Sequence, residues 1–439
     1  MGVNITGLLV IVGFYTIILV VGIFITRRKK RHGDSTPMEY MVVAGRDLGP
    51  LVGIFTMTAT TVGGGYINGT AESIAKEGLV WTLAPFGIFI GLISGGLIFA
   101  KRMRDKKYLT MLDPFQEQYG SLVVIVIYIG SLCGDIFWTA SILSALGTSL
   151  SVVVNLELTV AIVTAASVTI LYTMIGQMMA VAYTDVFQLF FIIGGLVLTI
   201  PFVLTNDKVG DISKTTSQWL GRLEPKFAGL WIDLFIAMAT ETELIWIQRL
   251  TVFIVGAIAT VTSIFVPSLY GLFILAADIV FVIIFPQLIC VIFLKFTNSY
   301  GSLSGYFVGL FLRLSAGEFQ LKLSPFWEYP FYDKIHGQMF PFRTFSMLCS
   351  LITIITISLL TQKLFTNDVL AEKYDILKAV CKTNCGCDSD QQSDLSIYHA
   401  TETNCGCDSD QQNSFSTHHH TEMKCNGVIE YVALAEKSE

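Results

Sequence analysis

The sequence predicts an all-α integral membrane protein, and three observations carry that reading. Of its 439 residues, 53% are hydrophobic and only 14% are charged, where a soluble domain carries about 25% charge. The mean hydropathy is +0.64. Apolar runs of bilayer length, about 20 residues each, recur from the first residues to residue 362.

These runs predict spans near 5–26, 48–72, 78–100, 121–149, 158–176, 180–204, 250–271, 273–294, 301–317 and 343–362. The run 228–239 is apolar but too short to span alone, and the charged stretch "TETELIWIQR" follows it. The first run is too long for a signal-peptide core and lacks a basic leader or cleavage site, so it reads as a retained helix. "MGVNIT" fits a myristoylation pattern and a glycosylation sequon at Asn4, both read as chance matches so close to a span. "RRKKRH" at 27–32 and "KRMRDKK" at 101–107 are strongly basic, which places both loops in the cytoplasm. The N-terminus, 205–227 and 318–342 then lie outside, and Lys295 inside. The net charge of −6 and short basic clusters beside apolar runs exclude a nucleic-acid partner.

From Lys363 the composition turns to Asp, Ser, Gln, Asn and Cys, which predicts a disordered cytoplasmic tail over 363–439 behind a membrane domain over 1–362. "TNCGCDSDQQ" at 383–392 returns at 403–412, a 20-residue repeat. Its C-x-C pairs and His418, His419 and His420 lack the spacing of a structural zinc site, so the repeat reads as a duplication without a metal. Cys133, Cys290 and Cys349 read as small buried hydrophobes.

Polar residues within spans are costly and are candidates for function. Asp135 shares a helix face with Trp138, three residues on. Asp185 lies in "AVAYTDVFQLFF". Asp278 reads as an interhelical hydrogen-bond partner, and Arg313 as a snorkelling or loop-pairing residue. No HExxH, GxSxG or Walker loop is present, and five of the six histidines lie beyond residue 330, the sixth being His32 in the first basic loop, so the chain reads as no enzyme.

One span interrupts itself. "TATTVGGGYINGT", Thr58 to Thr70, holds three consecutive glycines, each costing a helix roughly 0.5–1 kcal/mol relative to alanine. Discontinuous helices in secondary transporters expose carbonyls and half-helix ends that hold sodium and substrate near the midplane. Thr58, Thr60 and Thr61 add hydroxyls at that level.

"FTMTATTVGGGYINGTAES", "KYLTMLDPFQEQYG", "GDIFWTASILSALG", "AVAYTDVFQLF", "DIVFVIIFPQLICV" and "TNSYGSLSGYFVGLFLRLSAGE" resemble the sodium-coupled solute symporter family. The resemblance runs from the first span to about residue 380. It implies a LeuT-like inverted-repeat fold of about 10–11 transmembrane helices. It further implies a multi-pass protein of the plasma membrane, in cholinergic nerve endings, that takes up choline with sodium and depends on chloride, with a homo-oligomer as an option. Carried over residue by residue, the carbonyls at Thr58 and Thr61 look like half of a sodium site, and Asp185 like an acid linked to sodium passage. Trp138 looks like one wall of an aromatic box for a quaternary ammonium, with Thr60, Thr61, Gly64 and Asp135 beside the substrate.

The sequence departs from the family in three places. Thr61 stands where a tryptophan is expected, and Ile88 where a tyrosine is expected. Near 239–241 a stretch on the order of a hundred residues is lacking, at about twenty per span plus loops. The repeat is thus incomplete. The alternatives are a non-transporting splice form or incomplete gene product, and a symporter for another small solute. If 228–247 formed one hybrid span, it would hold Glu241 and Glu243, at roughly 2–3 kcal/mol each.

Overall fold

The computed structural model describes residues 3–28, 49–108, 110–175, 178–240, 250–266, 268–334, 337–367, 369–370 and 374–377. The duplicated Cys repeat, His418–His420, and Glu241 and Glu243 lie outside the described residues.

Among those residues the chain is helical, apart from two isolated bridges in the 318–337 loop. The helices are α1 (Ile5–Arg28), α2 (Pro50–Thr61), α3 (Gly64–Lys76) and α4 (Ala84–Ser94, a π turn Gly95–Ala100, then Lys101–Asp105). Then come α5 (Asp113–Tyr119), α6 (Ser121–Val154), α7 (Leu158–Ile175) and α8 (Met178–Leu204). After them stand α9 (Ala228–Thr240), α10 (Leu250–Phe265), α11 (Leu269–Ile279, a π turn Val280–Ile284, then Phe285–Phe293), α12 (Ser299–Ser315) and α13 (Phe342–Thr366). Five helical segments among the described residues are long and apolar enough to cross a membrane: Leu79–Asp105, Ser121–Val154, Thr184–Leu204, Leu269–Phe293 and Phe342–Thr366. The predicted spans map onto these helices with small shifts. The run 250–271 ends at Phe265, because Ser268 caps the next helix by accepting from Gly271 N–H.

Asn4 is occupied in a similar role. Its side chain accepts from Gly7 N–H at 3.1 Å and donates to the Val153 carbonyl at 3.0 Å, tying the start of α1 to the end of α6.

The loop contacts gather at two ends of the bundle, termed outer and inner after the charge pattern of the sequence. On the outer face, Val80 N–H donates to Leu220 O at 3.0 Å, and Trp231 Nε1 donates to Val80 O at 2.7 Å. On the inner face, Gln118 donates to Leu294 and Thr297, and Arg102, in the basic end of α4, donates to Ile292 O. Tyr300 donates to Asp375 there at 2.9 Å.

Helix α6 is the axis of the bundle, packed on α3, α7, α10 and α11. Helices α12 and α13 form a tight antiparallel pair. Gly301, Gly305 and Gly309 recur every fourth residue on α12, one stripe of small residues that lets backbones approach. A Cβ on Gly305 would sit 2.3 Å from Ile354 Cγ1 and 2.8 Å from the Ser350 carbonyl. Cys290 is buried and Cys349 half-buried, but Cys133 is exposed on the outside of α6, contrary to the expectation for it.

The outer half is joined by a buried ionic network. Asp278 on α11 has no solvent exposure. It accepts from Arg313 Nε on α12 at 2.8 Å and from Arg343 Nε on α13 at 2.9 Å. Asp233 on α9, also without exposure, accepts from the backbone N–H groups of Arg343 at 3.1 Å and Thr344 at 2.6 Å, so it caps α13 from another helix. Arg313 also pairs with Glu318 and donates to Gly317 O in the following loop. Asp278 is thus the interhelical partner expected. Arg313 pairs with the loop but does not snorkel, being 3% exposed.

Asp278→Ala leaves two guanidiniums buried beside one another and is expected to cost about 3–5 kcal/mol. Gly305→Leu drives a side chain into Ile354 and is expected to cost at least 1–3 kcal/mol. Fluorescence-detected size exclusion after heating reads both: the folded peak should be lost at markedly lower temperature, whereas Ile352→Ala, on the exposed side of α13, should change it little.

Candidate functional site

The break falls where local chemistry disfavours a helix twice over. Thr58, Thr60 and Thr61 are β-branched, and the hydroxyls of Thr58 and Thr61 bond back to the carbonyls of Ile54 and Met57, each at 2.8 Å. Val62 (φ −87°, ψ 58°) then leaves the helical region, and Gly63 (φ −92°, ψ −170°) is extended. Two residues therefore separate α2 from α3.

The Thr58 carbonyl accepts from Val62 N–H at 2.8 Å. Among the described residues, the carbonyls of Ala59, Thr60, Thr61 and Val62 accept no hydrogen bond. In a bilayer an unsatisfied carbonyl costs several kcal/mol. The end of α2 also concentrates the negative pole of the helix dipole. Carbonyl oxygens, threonine hydroxyls and a negative dipole end form a donor set suited to a small hard cation.

Two of the three glycines also have a packing role. A Cβ on Gly65 would lie 2.8 Å from Ser141 Oγ, and one on Gly64 would lie 3.2 Å from Ala145 Cβ. Both let α3 lie close against α6. Ser141 Oγ is itself held, donating to Leu269 O at 3.1 Å. Only Gly63 stands in the extended gap.

Across the break, α6 presents Trp138. Its ring lies 4.8 Å from Phe273 of α11 at an interplanar angle of 35°. Tyr66, Ala84, Ile88, Met238, Tyr270 and Ala277 complete this cluster. Ile88, where a tyrosine is expected, is therefore a wall of the same cluster and is 3% exposed. The Trp138 and Phe273 rings rest on each other, so a cation placed between them, within about 6 Å of both centroids, would require them to part. Tyr270 fixes α11 to the bundle: its hydroxyl accepts from Leu83 N–H at 3.0 Å, and its own N–H donates to Glu72 at 3.1 Å.

The remaining predicted residues fall at varied distances from this centre. Thr61 is 7% exposed, Thr60 is half-buried, and Thr58 and Gly64 are exposed. Asp135 is half-buried and forms no hydrogen bond or ion pair among the described residues. Asp185 on α8 is buried, and its Oδ2 has no partner. Phe55 of α2 and Phe190 of α8 place their rings 5.6 Å apart, so the two helices that carry Thr58 and Asp185 are packed on each other. The aromatic wall from Tyr66, Tyr270 and Phe273 is absent from the sequence-predicted set, although the i, i+3 spacing of Tyr270 and Phe273 puts both on one helix face.

A multi-helix membrane bundle whose first core helix breaks beside a buried aromatic cluster is the architecture of secondary transporters. The sequence pattern of the sodium:solute symporter family matches residues 40–227. The high-affinity choline transporter 1 of Drosophila melanogaster is 36% identical, over 86% of this chain and 82% of its own length. The high affinity choline transporter 1 of Homo sapiens is 34% identical, over 87% of this chain and 89% of its own. The chain belongs to the sodium:solute symporter family. A sodium-coupled sialic acid symporter, solved in a substrate-bound outward-open state, superposes with a TM-score of 0.53 at 13% identity, covering 81% of this chain and 98% of that one. The fold is thus the LeuT-like symporter fold, as expected. The Drosophila comparison runs over 504 positions, whereas 86% of 439 residues is about 378, so about 126 positions are filled by the relative alone.

If Gly65 is required for helix packing, Gly65→Ala should lower thermal stability by about 1–3 kcal/mol, and adding Ser141→Gly should recover most of it. A thermal shift on the single and double variants measures this; unchanged stability in the single variant would return the glycine to a ligand role.

Proposed function

We propose that this chain carries choline into cells across the plasma membrane, coupled to sodium, with Trp138 holding the quaternary ammonium and the broken end of α2 holding sodium. The observation that carries the reading is the helix break itself, where the carbonyls of Ala59–Val62 accept no hydrogen bond among the described residues four residues before Tyr66, a member of the Trp138 cluster, in a chain about 35% identical to choline transporters. Chloride dependence and a place in cholinergic nerve endings, supplying acetylcholine synthesis, belong to the same proposal. So does a role for Asp185 on the inner route of sodium, supported by its burial and its unpartnered Oδ2 on the helix packed against α2. Thr60, Thr61, Gly64 and Asp135 are assigned to the substrate side, and a homo-oligomer is the proposed assembly.

A second reading is favoured by a specific observation. The face of α2 that holds Leu51, Ile54, Met57 and Thr58 is exposed. We assign the roughly 126 unmatched positions to the join beyond Ala239, where they would supply helices to cover that face. A chain lacking them would reach the membrane without transporting.

Uptake of radiolabelled choline in sodium and in lithium decides between the two readings. Sodium-dependent accumulation is expected. Background uptake by protein that surface labelling shows at the plasma membrane would leave the non-transporting form. Trp138→Ala should weaken apparent choline affinity roughly 30-fold, from about 2 kcal/mol of cation–π attraction. Ile88→Tyr should strengthen it. Competition by sugars in place of choline would point to a different solute.

A further inference from the structure

A second cavity lies away from the helix break, in the inner half of the bundle. It is a cleft of about 410 Å³ between the lower part of α4, the last turn of α9 and the lower part of α11. Ile98, Phe99, Phe235, Ile236, Ile289 and Phe293 make most of its wall. Its two hydroxyls are both spent within their own helices: Ser94 Oγ donates to Gly91 O at 3.0 Å, and Thr240 Oγ1 donates to Ala237 O at 2.9 Å. With no polar handle to orient a solute, the cleft suits hydrocarbon.

The cleft is open sideways, where Leu97 is 78% exposed beside Ile98 and Phe293, towards the space a bilayer fills. Its inner mouth carries positive charge. The Arg102 guanidinium lies 4.3 Å over the Phe293 ring and donates once, at 3.3 Å, to Ile292 O. Lys101 and Arg104 flank it, all three exposed. A guanidinium has five donors, so most of Arg102's remain to face outward. The π turn at Gly95–Ala100 adds a residue to the helical repeat and so turns this basic end relative to the upper half of α4.

We propose that the cleft binds one acyl chain of an anionic phospholipid from the inner leaflet, with its phosphate-bearing headgroup on Arg102, Lys101 and Arg104. Charge complementarity selects the occupant: a neutral lipid would fill the cleft equally well but leave the guanidinium unmatched, and a basic site between helices on the cytoplasmic side recognises acidic headgroups. The inference needs the chain to span a membrane but not to carry choline.

The test uses the full chain in neutral detergent with equal amounts of phosphatidylserine and phosphatidylethanolamine bearing the same acyl chains, read by native mass spectrometry. Phosphatidylethanolamine is the neutral partner because it keeps choline headgroups out of the assay. Phosphatidylserine should be retained over phosphatidylethanolamine, and Arg102→Gln should cut that preference roughly fivefold, as expected for one basic residue at an anionic surface. Arg102→Lys should keep most of it. Ile289→Trp, which fills the cleft, should reduce retention of both lipids; Ile98→Phe serves if the first variant loses its fold. Equal retention of the two lipids by the unmodified chain overturns the proposal, as does a preference that Arg102→Gln leaves unchanged. Displacement of phosphatidylserine by glycerophosphoserine alone would overturn the acyl-chain part and leave a bare phosphate site.

Discussion

Everything in the outer half of the molecule depends on one buried carboxylate. Asp278 sits inside a membrane-spanning helix with no exposure, where an unpaired charge is prohibitively costly. It is tolerated because Arg313 and Arg343 reach it from two other helices. Two guanidiniums beside one carboxylate repel each other, and the Phe342 ring lies between them, 5.1 Å from one and 4.4 Å from the other. Asp233 adds the balancing charge and caps α13 at the same time. Helices α9, α11, α12 and α13 must therefore meet at one point, and the α12–α13 glycine stripe lets them do so.

That anchor sets the position of α11, and α11 in turn sets the aromatic cluster around Trp138. Phe273 lies less than two turns from Asp278 on the same helix, and Tyr270 one turn further out. The Tyr270 N–H donates to Glu72 on α3 and its hydroxyl accepts from Leu83 N–H at the start of α4, so the outer half-helix beyond the break is tied to the helix of the ionic core. From the other side, α3 is pressed on α6 through Gly64 and Gly65. The break is thus a fixed joint, with α3 held on two sides. By contrast, α2 is covered mainly by α8, and much of its surface is bare.

The spans were legible because a bilayer demands long apolar runs, and the break was legible because three glycines cannot be ordinary inside such a run. Asp278 as an interhelical partner was legible for the same reason: a charge in a span needs a mate. The identity of the mate was not, since Arg343 is 65 residues away and enters from a helix end that looks like a loop. Asp233 drew no notice because its environment is apolar in sequence, and the backbone N–H groups and guanidinium that it meets belong to a helix 110 residues away. Three adjacent glycines point in different directions around a helix, but the break puts only Gly63 in the gap and turns the other two into α3.

The sequence by itself determined the membrane class, the order and direction of the helices, the discontinuity in the first core helix and the family. Each of these is written in local composition or in contiguous motifs. The tertiary structure alone decided that Trp138 rests on Phe273, that the helix of Asp185 packs on the helix of Thr58, and that Arg313 is buried. It alone joined Asp233, Asp278, Arg313 and Arg343 into one network. Those facts depend on how helices distant in sequence lie against one another, and packing of that kind is set by small-residue contacts and buried charge pairs that no single segment contains.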